Sequence, residues 1–328
     1  MNNLLNVTVI VPVYNHRPFL QERFDTIFNQ SFQNFEVIVL DDCSTDGSIE
    51  FLKEIESHPK VSGVLINSAN SGSPFSQWIK GIERAKGELI WIAESDDSCE
   101  LNMLEKLVAF FADPECNLAF ADSNDIDEYG NVVNNRDDYI TEFGHVFFRE
   151  FCVNGTHFVN NYMAIKNVIP NASGVVFRKS SVADILQYQA LLASMRCCGD
   201  WLFWTMIALT GKVSYTHLKL NGFRTHTQTT RTHNSYEKLY KRYGEELQVR
   251  HEMSRHGYCS FVKRQFFKNI ISRFQNASST KLTLKFIWEF KAQSLNYSTR
   301  LLFEFLILNI RKFTLRVQLK CQKLLRKS

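Results

Sequence analysis

The 328-residue chain lacks several devices that would settle its chemistry at a glance. Its eight cysteines include no C-x-x-C pair, and Cys197 and Cys198 are adjacent. That pattern suits neither a zinc site nor a disulfide framework, and a reducing cytoplasm is the simpler setting. No glycine precedes Gly47, which removes the G-x-G-x-x-G turn that a dinucleotide fold needs after its first strand. No G-x-x-x-x-G-K-[ST] phosphate loop occurs either. Residues 1–6 lack the basic and apolar regions of a signal peptide. The longest apolar stretch, 301–310, is broken by Glu304 and Asn309. It is about half the roughly 20 residues that span a bilayer, so no membrane crossing is expected. Acidic residues stop at Glu304, while Arg311, Lys312, Arg316, Lys320, Lys323, Arg326 and Lys327 crowd the end.

The rest has the make-up of a folded protein, with 45% hydrophobic and 22% charged residues. Strands are expected at 7–13, 35–40, 61–66 and 88–93, as apolar or β-branched runs, with those at 35–40 and 88–93 buried. Helices with apolar residues at helical spacing fall between them: Leu20, Phe24, Ile27 and Phe28 in the first, then Ile49, Leu52 and Ile55, then a segment over 76–85. Another helix at 101–111 and a strand at 118–121 continue the alternation. Such an order predicts a mostly parallel central sheet flanked by helices. From 131 to 168 the pattern weakens into long loops and short strands. It returns as a strand at 175–178, helices from 180 and over 201–209, and a strand near 213–218. Everything beyond 236 reads as helical. The expected division is a catalytic domain at 1–235 and a helical region at 236–328.

The most informative segment is Ala93-Glu94-Ser95-Asp96-Asp97, three carboxylates leaving the end of a buried strand. In open α/β sheets ligands bind beyond the carboxyl ends of the strands. Clustered carboxylates repel one another unless a cation joins them. Without a glycine-rich phosphate cradle, a metal held by these carboxylates is the remaining means of holding a diphosphate.

Four segments in order carry a family resemblance. Val7-Thr8-Val9-Ile10-Val11-Pro12-Val13-Tyr14-Asn15 resembles the opening strand of family 2 glycosyltransferases of the GT-A fold. Asp41-Asp42-Cys43-Ser44-Thr45-Asp46-Gly47-Ser48 is similar to their second-strand loop. Asn70-Ser71-Gly72, followed by residues 81–88, resembles the approach to their metal motif, and Glu94-Ser95-Asp96-Asp97 stands where the D-x-D-type motif belongs. The resemblance implies that Pro12, Tyr14, Asn15 and Asp42 line the nucleobase pocket, with Asn70, Glu94, Ser95 and Asp96 also on the nucleotide-sugar. It implies Asp96 as principal ligand of Mn²⁺ or Mg²⁺, assisted by Asp97. The family usually has Asp where this chain has Glu94.

The same resemblance places a general base in an Asp at a helix start. Cys198-Gly199-Asp200-Trp201 supplies Asp200, with Gly199 in place of the common Glu. A carboxylate that takes the acceptor proton suits direct displacement at an anomeric carbon; a plain N-cap is the other reading of Asp200. The segment 223–231 resembles the downstream R-x-H element, which implies His226 as a further metal ligand or a contact to the diphosphate, and Arg224 or Arg231 as phosphate partners. Residues 171–174 resemble a segment that faces the sugar or acceptor.

The expected function is inverting transfer from a nucleotide-sugar, a UDP-sugar first, to a glycan or lipid-linked glycan in cell-surface polysaccharide synthesis. The basic end repeats Phe313, Val317, Cys321 and Leu324 at helical spacing beside a Lys/Arg stripe. That pattern is expected to bring a cytoplasmic chain to an anionic membrane surface as a peripheral protein, or else to pack on its own domain. A metal-dependent nucleotidyltransferase would favour a glycine-rich basic loop after the first strand. A non-enzymatic binder of nucleic acid or membranes would leave the acidic strand ends unexplained, and no nucleic-acid partner is expected.

Overall fold

A computed structural model describes residues 6–226, 235–258, 267–268, 270–273, 280–290, 298–310 and 314. The chain divides into two compact units, Met1–Thr229 and Thr230–Ser328.

The first unit is built on one ten-stranded sheet with the path β3-β2-β1-β4-β9-β6-β10-β5. Its strands are β1 Val7–Val13, β2 Phe35–Asp41, β3 Val61–Ile66, β4 Leu89–Ile92, β5 Ser98–Cys99, β6 Cys116–Ile126, β7 Val132–Asn134, β8 Phe151–Asn154, β9 Val175–Arg178 and β10 Lys212–Arg224. β7 adds to β6 and β8 to β10. β1 pairs in parallel with β2 and β4, and β2 with β3. β9 runs antiparallel to both β4 and β6, so β6 and its parallel partner β10 point the same way as β1. The sheet is thus mostly parallel in strand direction, as expected.

The two-residue period of β1 explains the layers. Val7, Val9, Val11 and Val13 face one side, where they pack with Leu20, Phe24 and Ile27 of helix α1 (Arg17–Phe28) and with Phe51 and Leu52 of helix α2 (Ser48–Ile55). Ile10 faces the other side, beneath helix α3 (Pro74–Arg84). A Cβ on Gly81 would lie 2.5 Å from Ile10 Cγ2 and 2.9 Å from Leu40 Cδ1, so α3 comes this close to the sheet only because residue 81 is glycine. Trp91 of β4 is fully buried, and its indole N–H donates to Ser173 O at 2.7 Å.

The second unit has its own apolar cluster. Leu239, Tyr243 and Leu247 of the helix Tyr236–Arg255 pack with Phe267, Ile270, Phe286, Ile287, Leu301 and Phe305. Ser235 caps that helix through Lys238 N. Residues 298–310 are helical and expose Leu302, Phe303, Leu306 and Ile310, as the helix Thr280–Phe290 exposes Trp288. Among the described residues no helix is long and apolar enough to cross a membrane. Apart from Thr314, the basic end beyond residue 310 lies outside the described residues.

Candidate active site

Parallel pairing brings functional residues together from distant parts of the sequence. β1 and β4 are neighbours, so Tyr14-Asn15-His16 and Glu94-Ser95-Asp96-Asp97 leave the sheet side by side. β10 points the same way and delivers Arg224 and His226 to the same edge.

The loops after β1 and β2 are stitched to each other. Asn15 has φ 55°, a left-handed backbone that asparagine tolerates. Its amide donates to Ser44 Oγ at 2.9 Å, and its side-chain oxygen accepts from Thr45 N at 2.8 Å. Pro12 is buried within β1, while Tyr14 keeps an exposed ring. Asp42 is buried, and its Oδ1 accepts from Asn67 Nδ2, Ser71 N and Gln77 Nε2 at 2.7–2.8 Å. Its Oδ2 accepts from Ser71 Oγ alone among these partners, at 2.8 Å. A carboxylate offers about four acceptor directions, so Oδ2 has room for one more donor such as a base N–H. Asn70 is exposed and turns its side-chain oxygen onto Gly72 N at 2.6 Å.

The acidic strand end divides its carboxylates by environment. Asp96 Oδ2 lies 3.1 Å from His226 Nε2, and its Oδ1 lies 4.0 Å from His16 Nδ1. Burial disfavours its charge, but the His226 hydrogen bond and the two nearby imidazoles outweigh that and hold the carboxyl below its ordinary range. Glu94 behaves oppositely. Burial, and then the Asp96 charge, push it up to about 8, although Trp78 Nε1 donates to Oε1 at 2.8 Å. Asp97 is pushed up to about 7 by burial and the same neighbour. Its oxygens accept from Arg224 N at 3.0 Å, Asn171 Nδ2 at 2.9 Å and Ser173 Oγ at 2.5 Å.

Among the described residues one group is arranged to hold a metal ion: His16, Asp96 and His226, whose ligand atoms all lie within 4.8 Å of one another. The donor chemistry fits a divalent cation. Asp96 is held ionised, and burial, the largest influence on His16, keeps its imidazole below its ordinary pKa, so that a ring nitrogen keeps its lone pair.

Several expectations differ from this arrangement. Asp97, expected as a ligand, stands outside the group, and its oxygens are turned to Arg224 N, Asn171 Nδ2 and Ser173 Oγ. Arg224, expected on phosphate, is fully buried and spends its guanidinium inside the protein. Nε donates to Asp96 O at 2.7 Å, Nη1 to Asp127 O at 2.9 Å, and Nη2 pairs with Glu22 at 2.6 Å. It shapes the strand end instead of meeting a ligand. Residues 171–174, expected to face the sugar or acceptor, are buried and hold Asp97 and the amide of Glu94 through Asn171 and Ser173. Arg231 lies outside the described residues.

Two residues carried too little local signal to be found from sequence. His16 had none beyond its place after Tyr14-Asn15. Arg23 sits on the buried face of α1, fully enclosed, with its guanidinium 5.2 Å over the Trp91 ring and no hydrogen-bond acceptor among the described residues. Its charge opposes the rise of Glu94 and Asp97.

Asp200 stands in the first turn of the helix Gly199–Ala208. Its Oδ1 accepts from Trp201 N at 2.8 Å and its Oδ2 from Asn167 Nδ2 at 3.0 Å. The helix start is anchored near the residues that hold Asp42. A Cβ on Gly199 would meet the Phe75 ring at 2.5 Å, and Ser73 Oγ donates to Met195 O at 3.0 Å. Phe75 and Ser73 adjoin Ser71, which holds Asp42.

The sequence model of glycosyl transferase family 2 matches residues 8–182, just over half of the chain. TuaG of Bacillus subtilis, whose name assigns it to teichuronic acid biosynthesis, is 33% identical over 114 residues, 35% of this chain and 45% of TuaG. TarS of Staphylococcus aureus, a poly(ribitol-phosphate) β-N-acetylglucosaminyltransferase, is 32% identical over 111 residues, 33% of this chain and 19% of TarS. The chain thus spans less than half the length of these curated relatives. In three dimensions, residues 1–349 of TarS in complex with UDP-GlcNAc superpose with a TM-score of 0.58 at 18% identity, covering 92% of this chain and 89% of that one. The mannosyltransferase PcManGT of Pyrobaculum calidifontis, solved with GDP-Man and Mn²⁺, gives 0.51 at 16%, covering 92% and 85%. At these identities the superpositions speak to the fold, and the family rests on the matched sequence. With its acidic and histidine-bearing strand ends gathered at one sheet edge, the chain belongs to glycosyl transferase family 2.

Proposed function

We propose that this glycosyltransferase moves a sugar, with inversion, from a UDP-sugar to a hydroxyl of a glycan or lipid-linked glycan during cell-surface polysaccharide synthesis. The observation that carries the reading is the meeting of Asp96 with His16 and His226 at the sheet edge, beside the Asp42 loop. The names of TuaG and TarS support the polysaccharide setting, and the UDP-GlcNAc complex of TarS supports the donor class.

A divalent cation bound there, Mn²⁺ or Mg²⁺, would neutralise the leaving diphosphate. The chain's own residues do the rest. Asp42 accepts from the base, Asn15 fixes the loop around it, and Asp200 takes the proton of the attacking hydroxyl. Asp200 and His226 lie beyond the segment matched by the family, so their roles rest on placement. In this reading Met1–Thr229 is the catalytic unit and the helical unit after it is an appendage.

The donor class is tested by incubating the protein and Mn²⁺ with UDP-, GDP- and dTDP-sugars and measuring release of the nucleoside diphosphate. UDP release should dominate. Release of GDP alone would move the donor to the class bound by PcManGT, and release from none would remove the transferase reading.

We also propose peripheral attachment to the cytoplasmic membrane surface. Its support is the exposed stripe Leu302, Phe303, Leu306 and Ile310, succeeded in sequence by seven basic and no acidic residues. The full chain should float with anionic liposomes and a chain ending near residue 296 should not; equal flotation would refute the attachment.

A further inference from the structure

The family resemblance accounts for Asp96 and His226; the imidazole of His16 carries the site further. We propose that His16 is a third protein ligand, so that two imidazoles and one carboxylate hold the cation and select a transition metal over Mg²⁺. This rests on the metal-assisted reading and deepens it.

The geometry is built from three chain segments. His16 stands at the N-cap of α1, directly after the left-handed turn at Asn15. Its Nδ1 lies 2.8 Å from Ser95 Oγ and 4.0 Å from Asp96 Oδ1. The His226 ring lies 5.4 Å away at 87° to it, centroid to centroid, and its Nε2 lies 3.1 Å from the other Asp96 oxygen. Phe19 packs against both imidazoles, at 6.1 Å from His16 and 5.1 Å from His226. Its own ring is backed by the buried Arg224 guanidinium at 5.0 Å. Both rings are therefore positioned before any ion binds. The Ser95 hydroxyl is a rotor that can give up Nδ1 when a cation claims it.

The donor set decides which cation the site prefers. Mg²⁺ prefers oxygen ligands and near-ideal octahedral geometry, while imidazole suits later divalent metals. The order of affinity for nitrogen-bearing sites rises from Mn²⁺ through Co²⁺ to Ni²⁺. A site of two imidazoles and one carboxylate should thus obey that order, with Mg²⁺ last. A merely structural His16, bonded to Ser95 and set edge-on to Phe19, would leave the order to Asp96 and His226.

The test uses Co²⁺ as a visible probe on the full chain in the presence of UDP, with Mg²⁺ and Mn²⁺ as competitors. Wild type, His16→Ala and His16→Gln are compared, and circular dichroism confirms that each is folded. Wild type should show a visible Co²⁺ band that Mn²⁺ displaces far more readily than Mg²⁺. Both variants should bind Co²⁺ roughly tenfold or more weakly, with a shifted band, while their Mg²⁺ affinity changes little. His16→Gln keeps a group for Ser95, so loss in both variants assigns the effect to the imidazole. An unchanged Co²⁺ affinity and spectrum in the variants would overturn ligation by His16 and leave the metal site on Asp96 and His226. Absence of Co²⁺, Mn²⁺ and Mg²⁺ binding to wild type would overturn both readings together.

Discussion

Asp200→Asn should lower sugar transfer by about 10²–10⁴-fold, the usual contribution of a positioned general base. UDP binding should stay within about twofold, because the change removes a proton acceptor without touching the diphosphate site. The fold should survive. The side-chain oxygen of asparagine can still accept from Trp201 N, and only the bond from Asn167 Nδ2, whose own side-chain oxygen stays on Ile169 N, is lost. Removing a negative charge from the first turn of the helix Gly199–Ala208 should cost about 0.3–1 kcal/mol. A helix cap alone would give that small loss of stability and full turnover. Turnover equal to wild type would therefore remove Asp200 from the chemistry.

Asp96→Ala should abolish the metal-dependent part of UDP binding, weakening it by about 100-fold in the presence of Mn²⁺. Without metal the two proteins should bind UDP alike. The variant should stay folded and lose only a little stability. The fold holds the Asp96 carboxyl below its ordinary range, so its charge contributes stability that the variant gives up, while relief of the repulsion on Glu94 and Asp97 offsets part of the loss. The anchor of the strand end is untouched, because Arg224 bonds the main-chain oxygen of residue 96. A folded protein of nearly unchanged stability that has lost metal-coupled binding is the pattern expected of a metal-binding carboxylate. Calorimetric titration with UDP, with and without Mn²⁺, and a thermal melt read both effects.

How much of this was legible in the sequence depended on whether the signal was local. β1, β2, β3 and β4 announced themselves as apolar or β-branched runs, and parallel pairing was implied by their alternation with helices. β6 and β10 run further than expected because their far ends are polar. Asp122, Ser123, Asn124 and Asp125 lie past the strand expected at 118–121, yet they continue β6, paired with β10 in a register that sets Ser123 opposite Asn221. Lys219 meets Asp122 at 3.1 Å and Arg136 meets Asp125 at 2.9 Å, partners that satisfy the polar groups from elsewhere in the chain. The same reason hid the place of His16, which comes near Asp96 and His226 only where three strand ends meet. Arg224 misled in the opposite sense: a basic residue near a diphosphate motif invites a phosphate role, but only the fold shows its guanidinium already used. Asp42, Asp96 and His226 were singled out because a family resemblance supplied the tertiary information that local pattern lacks.

The most direct measurement is the initial rate of UDP release from UDP-GlcNAc by the full chain with Mn²⁺, before and after chelation with EDTA and again after Mn²⁺ is restored. UDP should be released with Mn²⁺, cease on chelation and resume on restoration, and Asp96→Ala should stay inactive throughout. Release that continues undiminished in EDTA, or that Asp96→Ala supports as well as wild type, would contradict a metal-assisted transfer centred on Asp96.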